Sequence, residues 1–315
     1  VTQTSTPARV TSPIWATVAA GVTVLLWASA FVAIRFVGKD FSAGSLTLGR
    51  LISGVIALSI FLIVRKAGRK RESGPAQVKF RPTGREWWLL ILCGLAWFGV
   101  YNVALNAAEQ VLDAGTTSML VNVGPVLIAL FAGLFLGEGF PRLLLIGISV
   151  SLAGAVIIGF ASSSGKDVPI SGVLLTLLAA TVYAIGVVAQ KPVLRRLPAL
   201  EVTLVAASIG GIACLPFLPT LLRELGEAHT SSILWLIYLG VFPTAIAFTT
   251  WAYALARSTA GKLGSTMYLV PPLAILMGWI FLGETPALLA YVGGVVCLTG
   301  VAIAKRKPKV ATPAA

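Results

Sequence analysis

The chain has 315 residues, 57% of them hydrophobic and 11% charged, against about 25% charged in an ordinary soluble domain, and its mean hydropathy is +0.93. This balance excludes a soluble globular domain and marks a polytopic membrane protein. Lys and Arg outnumber Asp and Glu by 24 to 11, yet the excess falls in alternate loops without interleaved stacking aromatics, which excludes a nucleic-acid surface. Cys93, Cys214 and Cys297 lie in apolar runs with no CxxC spacing, so no disulfide framework, zinc site or other cofactor is expected.

Residues 1–13, rich in Thr, Ser and Pro, read as a disordered cytoplasmic tail. The apolar run that follows is too long for the core of a signal peptide and lacks a cleavage site, so it reads as a span. About ten windows of bilayer length follow one another: Trp15–Val37, Ser45–Val64, Glu86–Ala107, Gly115–Leu136, Leu143–Ala161, Ile170–Gln190, Leu200–Leu222, Ser232–Ala256, Lys262–Leu282 and Pro286–Ala304. Residues 305–315 form a basic tail. With the N-terminus in the cytoplasm, one side receives the cluster from Arg65 to Arg85 together with Arg142, Lys191, Arg195, Arg196, Arg257, Lys262 and the C-terminal basic residues. The other side receives Lys39, Lys166 and Arg223. Cytoplasmic loops retain Lys and Arg, so both termini are expected in the cytoplasm.

An internal repeat spans nearly the whole chain. Met119 to Leu127, running on to Leu136-Gly137-Glu138, returns as Met267 to Leu273, running on to Leu282-Gly283-Glu284, with the proline 13 residues before the glutamate in both copies (138 − 125 and 284 − 271). Earlier in each half, Trp27-Ala28 through Arg35 aligns without gaps to Tyr183-Ala184 through Lys191. Residues 14–161 and 162–304 are the two copies. Five spans in each imply opposite insertion, so the expected fold is all-α, with ten transmembrane helices as two inverted five-helix repeats around a central cavity.

Pro125, beside Gly124, and Pro271, followed by Pro272, interrupt apolar runs near their middle. A proline leaves the carbonyl four residues back without its donor, here Val121 and Met267, and broken backbone in a bilayer is tolerated only against protein or a water-filled cavity. Duplicated breaks therefore point to a binding site at the midplane; a plain kink in a structural helix is the alternative. The intramembrane polar and aromatic residues are few: Trp27, Trp97, Tyr101, Asn102, Asn106, Asn122, Tyr183, Gln190, Trp251 and Tyr268, with Phe248 beside Trp251. Trp97 and Tyr101 share one helical stripe, Asn102 and Asn106 the next. Such a cavity, with aromatic walls, neutral amides and no fixed mid-depth charge, suits an amphipathic zwitterion. Arg35 and Arg50 lie toward the outer ends of their spans, where snorkelling is the simple account; Arg50 has no basic counterpart in the repeat and is a candidate carboxylate clamp or gate toward Asp40 or Glu109. No Asp or Glu falls in mid-span, so no dedicated proton relay is expected. Glycines of the fifth and tenth spans read as close helix packing or a dimer face.

The aromatic followed by small residues in the first span of each half, Arg50, and the paired proline and Leu-Gly-Glu endings resemble the drug/metabolite transporter superfamily, EamA branch, over residues 15–304. Within that branch the chain looks most like the YddG-like aromatic amino-acid exporters. The resemblance implies a multi-pass protein of the bacterial inner membrane, monomeric or homodimeric, whose partners are the lipid bilayer and a small-molecule substrate. It implies export of small metabolites, often amino acids, by alternating access and with no enzymatic chemistry. The same superfamily admits an anion exchanger for sugar phosphates or nucleotide-sugars, and a non-transporting receptor or scaffold is the reading from another class.

Overall fold

The computed structural model describes residues 13–69, 80–136, 170–258, 260–285 and 288–304 and scattered positions between 143 and 157. The two tails, most of the expected fifth span, Gly137-Glu138 and the side chains of Lys262, Tyr268 and Cys297 lie outside what is described. The helices are α1 (Pro13–Val37), α2 (Ala43–Arg69), α3 (Gly84–Glu109), α4 (Ala114–Leu136), α5 (Ile170–Val193), α6 (Ala199–Ala213), α7 (Leu218–Glu227), α8 (Thr230–Arg257), α9 (Val270–Leu282) and α10 (Leu288–Ala304). No strand occurs among the described residues. Six of these helices, α1 to α5 and α8, are each long and apolar enough to cross a bilayer.

The expected seventh span is not one straight helix. It bends by 53° between α6 and the segment Leu215–Glu227, because Pro216 and Pro219 remove two successive backbone donors at the same turn. The ninth span departs in another way. A short helix, Ala260–Gly264, leads into a 3-10 stretch, Ser265–Leu269, before α9 begins. That tighter winding lets the Val270 amide bond the Met267 carbonyl, so the carbonyl expected to be freed by Pro271 is satisfied within its own chain segment. In α4 the interruption is shorter, at Asn122 and Val123.

The repeat is visible in the backbone itself. α3 contains a π-helical turn at Gly94–Val100 and α8 contains one at Gly240–Ile246, 146 residues later (240 − 94). The same offset relates the starts of the broken helices (114 and 260), their resumption (124 and 270) and their ends (136 and 282). Packing is reciprocal. A Cβ on Gly94 would lie 2.7 Å from the Ala206 carbonyl oxygen, and one on Gly210 would lie 2.9 Å from that of Gly94; in the other half, a Cβ on Gly240 would lie 2.6 Å from the Arg50 carbonyl oxygen, and one on Gly54 3.0 Å from that of Gly240. Each π-turn thus needs glycine because it lies directly on the second helix of the opposite half.

α1 runs antiparallel to α8. Phe36 stacks on Trp235, Ser29 bonds the Tyr238 hydroxyl, the Trp27 indole donates to the Pro243 carbonyl, and Thr23 pairs with Thr250. The C-terminal end of α1 therefore lies beside the N-terminal end of α8. There Asp40 is held below the usual carboxylate range, first by the Ser232 hydroxyl and then by the His229 amide. On α2, Ile52, Ile56, Ile60 and Ile63 face outward, an apolar stripe of the kind a membrane-spanning helix turns to lipid. Trp15, Trp87 and Trp88, near span ends, are exposed as an interfacial belt requires. Gly294 of α10 packs on Met119 of α4, so its smallness serves packing within the chain.

Gly240→Ala is expected to destabilise the protein by about 1–3 kcal/mol through overpacking. Gly226→Ala, at a position where an added Cβ meets nothing within 4 Å, is expected to be neutral or mildly stabilising. Thermal unfolding of the purified variants in detergent measures both.

Candidate functional site

The structure gathers Trp27, Trp97, Tyr101, Tyr183 and Trp251 into one aromatic cluster, built from α1, α3, α5 and α8. Trp27 stands 5.2 Å from Trp251, 6.1 Å from Trp97 and 6.4 Å from Tyr183 between ring centroids. Trp97 is 5.3 Å from Tyr183, and Tyr101 extends the group at 5.9 Å from Tyr183. Two further rings join it: Phe248, 4.9 Å from Trp97, and Phe98, 4.5 Å from Phe248. Most contacts are tilted or edge-on, the geometry that ring quadrupoles favour. Trp27 lies halfway along α1, which places the cluster at mid-depth.

Glycines make the cluster possible. A Cβ on Gly124 would come within 2.6 Å of the Tyr183 ring, and one on Gly186 within 2.5 Å of Trp97 Cβ. The helix break beside Pro125 thus brings a bare backbone against Tyr183, and Pro125 itself faces Gly264 of the other half. Pro271 is buried, whereas Pro272 is exposed and turned away from the interior.

The π-turns change what the amides can do. Asn102 and Asn106 both lie in the regular α-helical stretch Tyr101–Glu109 that follows the π-turn. Across the π-turn, Asn102 Nδ2 reaches back to the carbonyls of Trp97 and Phe98, at 3.2 and 2.9 Å. Asn106 Nδ2 donates to Thr47 Oγ1 at 2.8 Å, and Asn122 Nδ2 to the Ser118 carbonyl at 2.9 Å. Their side-chain oxygens, both amide atoms of Gln190 and the Trp251 indole N–H are buried without a hydrogen-bond partner among the described residues. Such groups cost about 1–3 kcal/mol each when left unmade, so this region offers hydrogen-bonding capacity to something that enters it.

Arg50 does not snorkel. Its side chain is 3% exposed, and its Nε donates to Thr244 Oγ1 at 3.2 Å. That hydroxyl in turn donates to the Leu239 carbonyl at 2.8 Å, across the π-turn. Arg50 makes no ion pair among the described residues, neither with Asp40 nor with Glu109. It interacts electrostatically with Tyr101 and Glu109 of α3. Glu109 is 1% exposed, with both carboxylate oxygens lacking donors; it lies at a span end, as expected, yet is buried. Beyond it, Arg35 pairs with Glu284, whose other oxygen approaches the Ala114 amide at the start of α4. A cavity of about 230 Å³ sits here, lined by Arg35, Lys39, Glu109, Gln110 and Glu284 with apolar Ile34 and Leu282.

Phe98, Thr244 and Glu284 are the members that sequence reasoning left out of the site, and Glu109 entered it only as a gate partner for Arg50. The repeat marks Glu284, at the duplicated Leu-Gly-Glu end; the π-turn that positions Thr244 leaves no such mark.

A match to the EamA-like transporter family covers residues 14–160 and 170–305. A protein of Streptantibioticus cattleyicolor named as a probable terminal-alkyne amino-acid exporter is 35% identical over 300 residues, 95% of each chain. One of Salmonella typhimurium named as a probable amino-acid metabolite efflux pump is 26% identical over 65% of this chain and 72% of its own. A solved crystal structure shares the fold at a TM-score of 0.61 and 21% identity, over 92% of this chain and 96% of that one. With two family-matched halves that together cover nearly the whole sequence, the chain belongs to the EamA-like transporter family.

Proposed function

We propose that this transporter exports amino acids, preferring aromatic or otherwise unsaturated side chains, and that the aromatic cluster with Arg50 is where they bind. The observation that carries the reading is the buried guanidinium beside that cluster, which has no ion pair among the described residues. An unpaired charge in a membrane interior is costly and is retained where a ligand completes it. A substrate carboxylate would receive the free N–H groups of Arg50. The side chain would lie among Trp27, Trp97, Tyr183 and Trp251, and the ammonium would gain from ring faces and from the open oxygens of Asn102 and Asn106. The two relatives named for amino-acid export support the same class of substrate. Arg35 and Lys191 already hold protein partners, which weighs against a phosphate-binding site built on them.

The basic residues support an orientation. Arg65, Arg81, Arg85, Lys191, Arg195, Arg196 and Arg257 gather at the end opposite Arg35, where Arg196 binds Glu86 and Arg65 approaches Glu201. That end would face the cytoplasm, with both termini, in a bacterial inner membrane. The remaining spans would complete ten helices in two inverted halves.

Counterflow in proteoliposomes tests the substrate class. Vesicles loaded with unlabelled phenylalanine should accumulate labelled phenylalanine, and vesicles loaded with a sugar phosphate should accumulate neither label; the opposite pattern would replace the reading with anion exchange. Arg50→Gln should raise the half-saturating concentration for phenylalanine about tenfold or more, the usual worth of a charged hydrogen bond, and leave that for phenylethylamine, which lacks the carboxylate, nearly unchanged. Equal losses for both compounds would make Arg50 structural. Transport is read as facilitated or exchange-driven, so collapsing a pH gradient at clamped membrane potential should leave the flux unchanged; a lost flux would assign a coupling proton, with Glu109 the carboxylate in place to carry it.

A further inference from the structure

At each end of the bundle a cation is lodged on the end of a helix. At the first, Arg35 Nη1 donates to the Glu109 carbonyl at 2.6 Å, while Nε and Nη2 donate to Glu284 Oε1 at 2.9 and 2.5 Å. At the second, Lys191 Nζ donates to the Leu255 carbonyl at 2.6 Å and to the Ser258 carbonyl. The repeat relates the two arrangements residue by residue. Arg35 and Lys191 are equivalent (191 − 35 = 156, the offset of the first spans), and so are Glu109 and Leu255 (255 − 109 = 146, the offset of the π-turns). The same cationic position meets the same helix-end carbonyl in both halves. Carbonyls at the C-terminal end of a helix carry its negative pole and have no donors of their own, so a cation is the natural partner.

The two fastenings are at opposite ends. Because α1 runs antiparallel to α8, Phe36 beside Trp235 marks one end, and Thr23 beside Thr250 points toward the other. Leu255 lies past Thr250, which separates the fastenings by roughly 25 Å at 1.5 Å per residue, with the aromatic cluster between them. The Arg35–Glu284 pair is not deeply buried. Arg35 and Glu284 keep 28% and 23% of their side-chain surface in solvent, so water can replace the bonds when they part. Buried pairs of this kind would lock the fold instead.

We propose that Arg35 and Lys191 are the paired latches of the transport cycle: each, while seated on its helix-end carbonyl, closes the passage from its own face to the aromatic cluster, and its release opens that face alone. The proposal rests on the reading above that solutes pass through the aromatic cluster, and is independent of which substrate is carried. The positioning role of Arg35 is shared with Glu284, which draws the end of the second half onto the first.

The test reads access to the cluster without any substrate. In a background carrying Cys93→Ser, Cys214→Ser and Cys297→Ser, with Tyr101→Cys as reporter, labelling by a membrane-impermeant maleimide is timed separately from each face of oriented vesicles. Arg35→Ala should speed labelling from the Arg35 face about tenfold, the scale of one charged hydrogen bond, and not from the other; Lys191→Ala should do the reverse; Arg35→Lys and Lys191→Arg should stay near the parent rate. Acceleration from the same face by both alanine variants, acceleration from both faces by either, or no change in any of them would overturn the proposal. Because no transported solute enters the assay, a failure to carry amino acids would leave this result intact and readable.

Discussion

Inside a bilayer a helix can be interrupted only where another part of the protein covers the exposed backbone. The architecture of this chain is governed by that rule applied twice. The π-turn of α3 lies on Ala206 and Gly210 of the second half, and the π-turn of α8 lies on Arg50 and Gly54 of the first. Each half therefore supplies the cover for the other's irregularity. Neither half could sit in lipid alone with its π-turn uncovered, and that mutual dependence holds the two copies face to face around the cluster.

The same irregularities create the interior chemistry. The turn in α8 presents the Pro243 carbonyl to the Trp27 indole and the Thr244 hydroxyl to Arg50. The turn in α3 draws Asn102 Nδ2 onto its own backbone, leaving its Oδ1 buried without a partner among the described residues. What results is a mid-depth region with aromatic surface and, among the described residues, several unfilled acceptors and a buried cation without an ion pair. Those features complement a zwitterion with a flat side chain better than they complement a phosphate dianion, which wants several converging cations.

Much of the fold can be read from the residues themselves. Pro125 and Pro271 announce the broken helices because their surroundings recur at a constant spacing, and Trp27 and Tyr183 stand out as deep aromatics at equivalent positions. The π-turns have no such mark: Gly94 and Gly240 are ordinary in a membrane helix, and one extra residue shifts an apolar pattern too little to see against an almost uniformly apolar background. Arg50 looked like a snorkelling residue because its distance from a span end is local information, while its burial comes from Thr244, nearly two hundred residues away. The bend at Pro216 and Pro219 was equally present in the sequence, but an apolar run that continues through both prolines hides it. Arg35 and Lys191 align in the repeat, yet the helix-end carbonyls that both meet leave no trace in a side-chain pattern.

The central claim is that two like halves move against each other around a fixed aromatic centre. Distances between spin labels measure this directly, with one pair at Lys39 and Glu227 across the halves on the Arg35 face and another at Lys66 and Arg195 on the Lys191 face. These four side chains are exposed, so the labels disturb no packing. In liposomes, adding amino acid substrate should widen one distance as the other narrows. Two distances that stay fixed, or that widen together, would contradict the account.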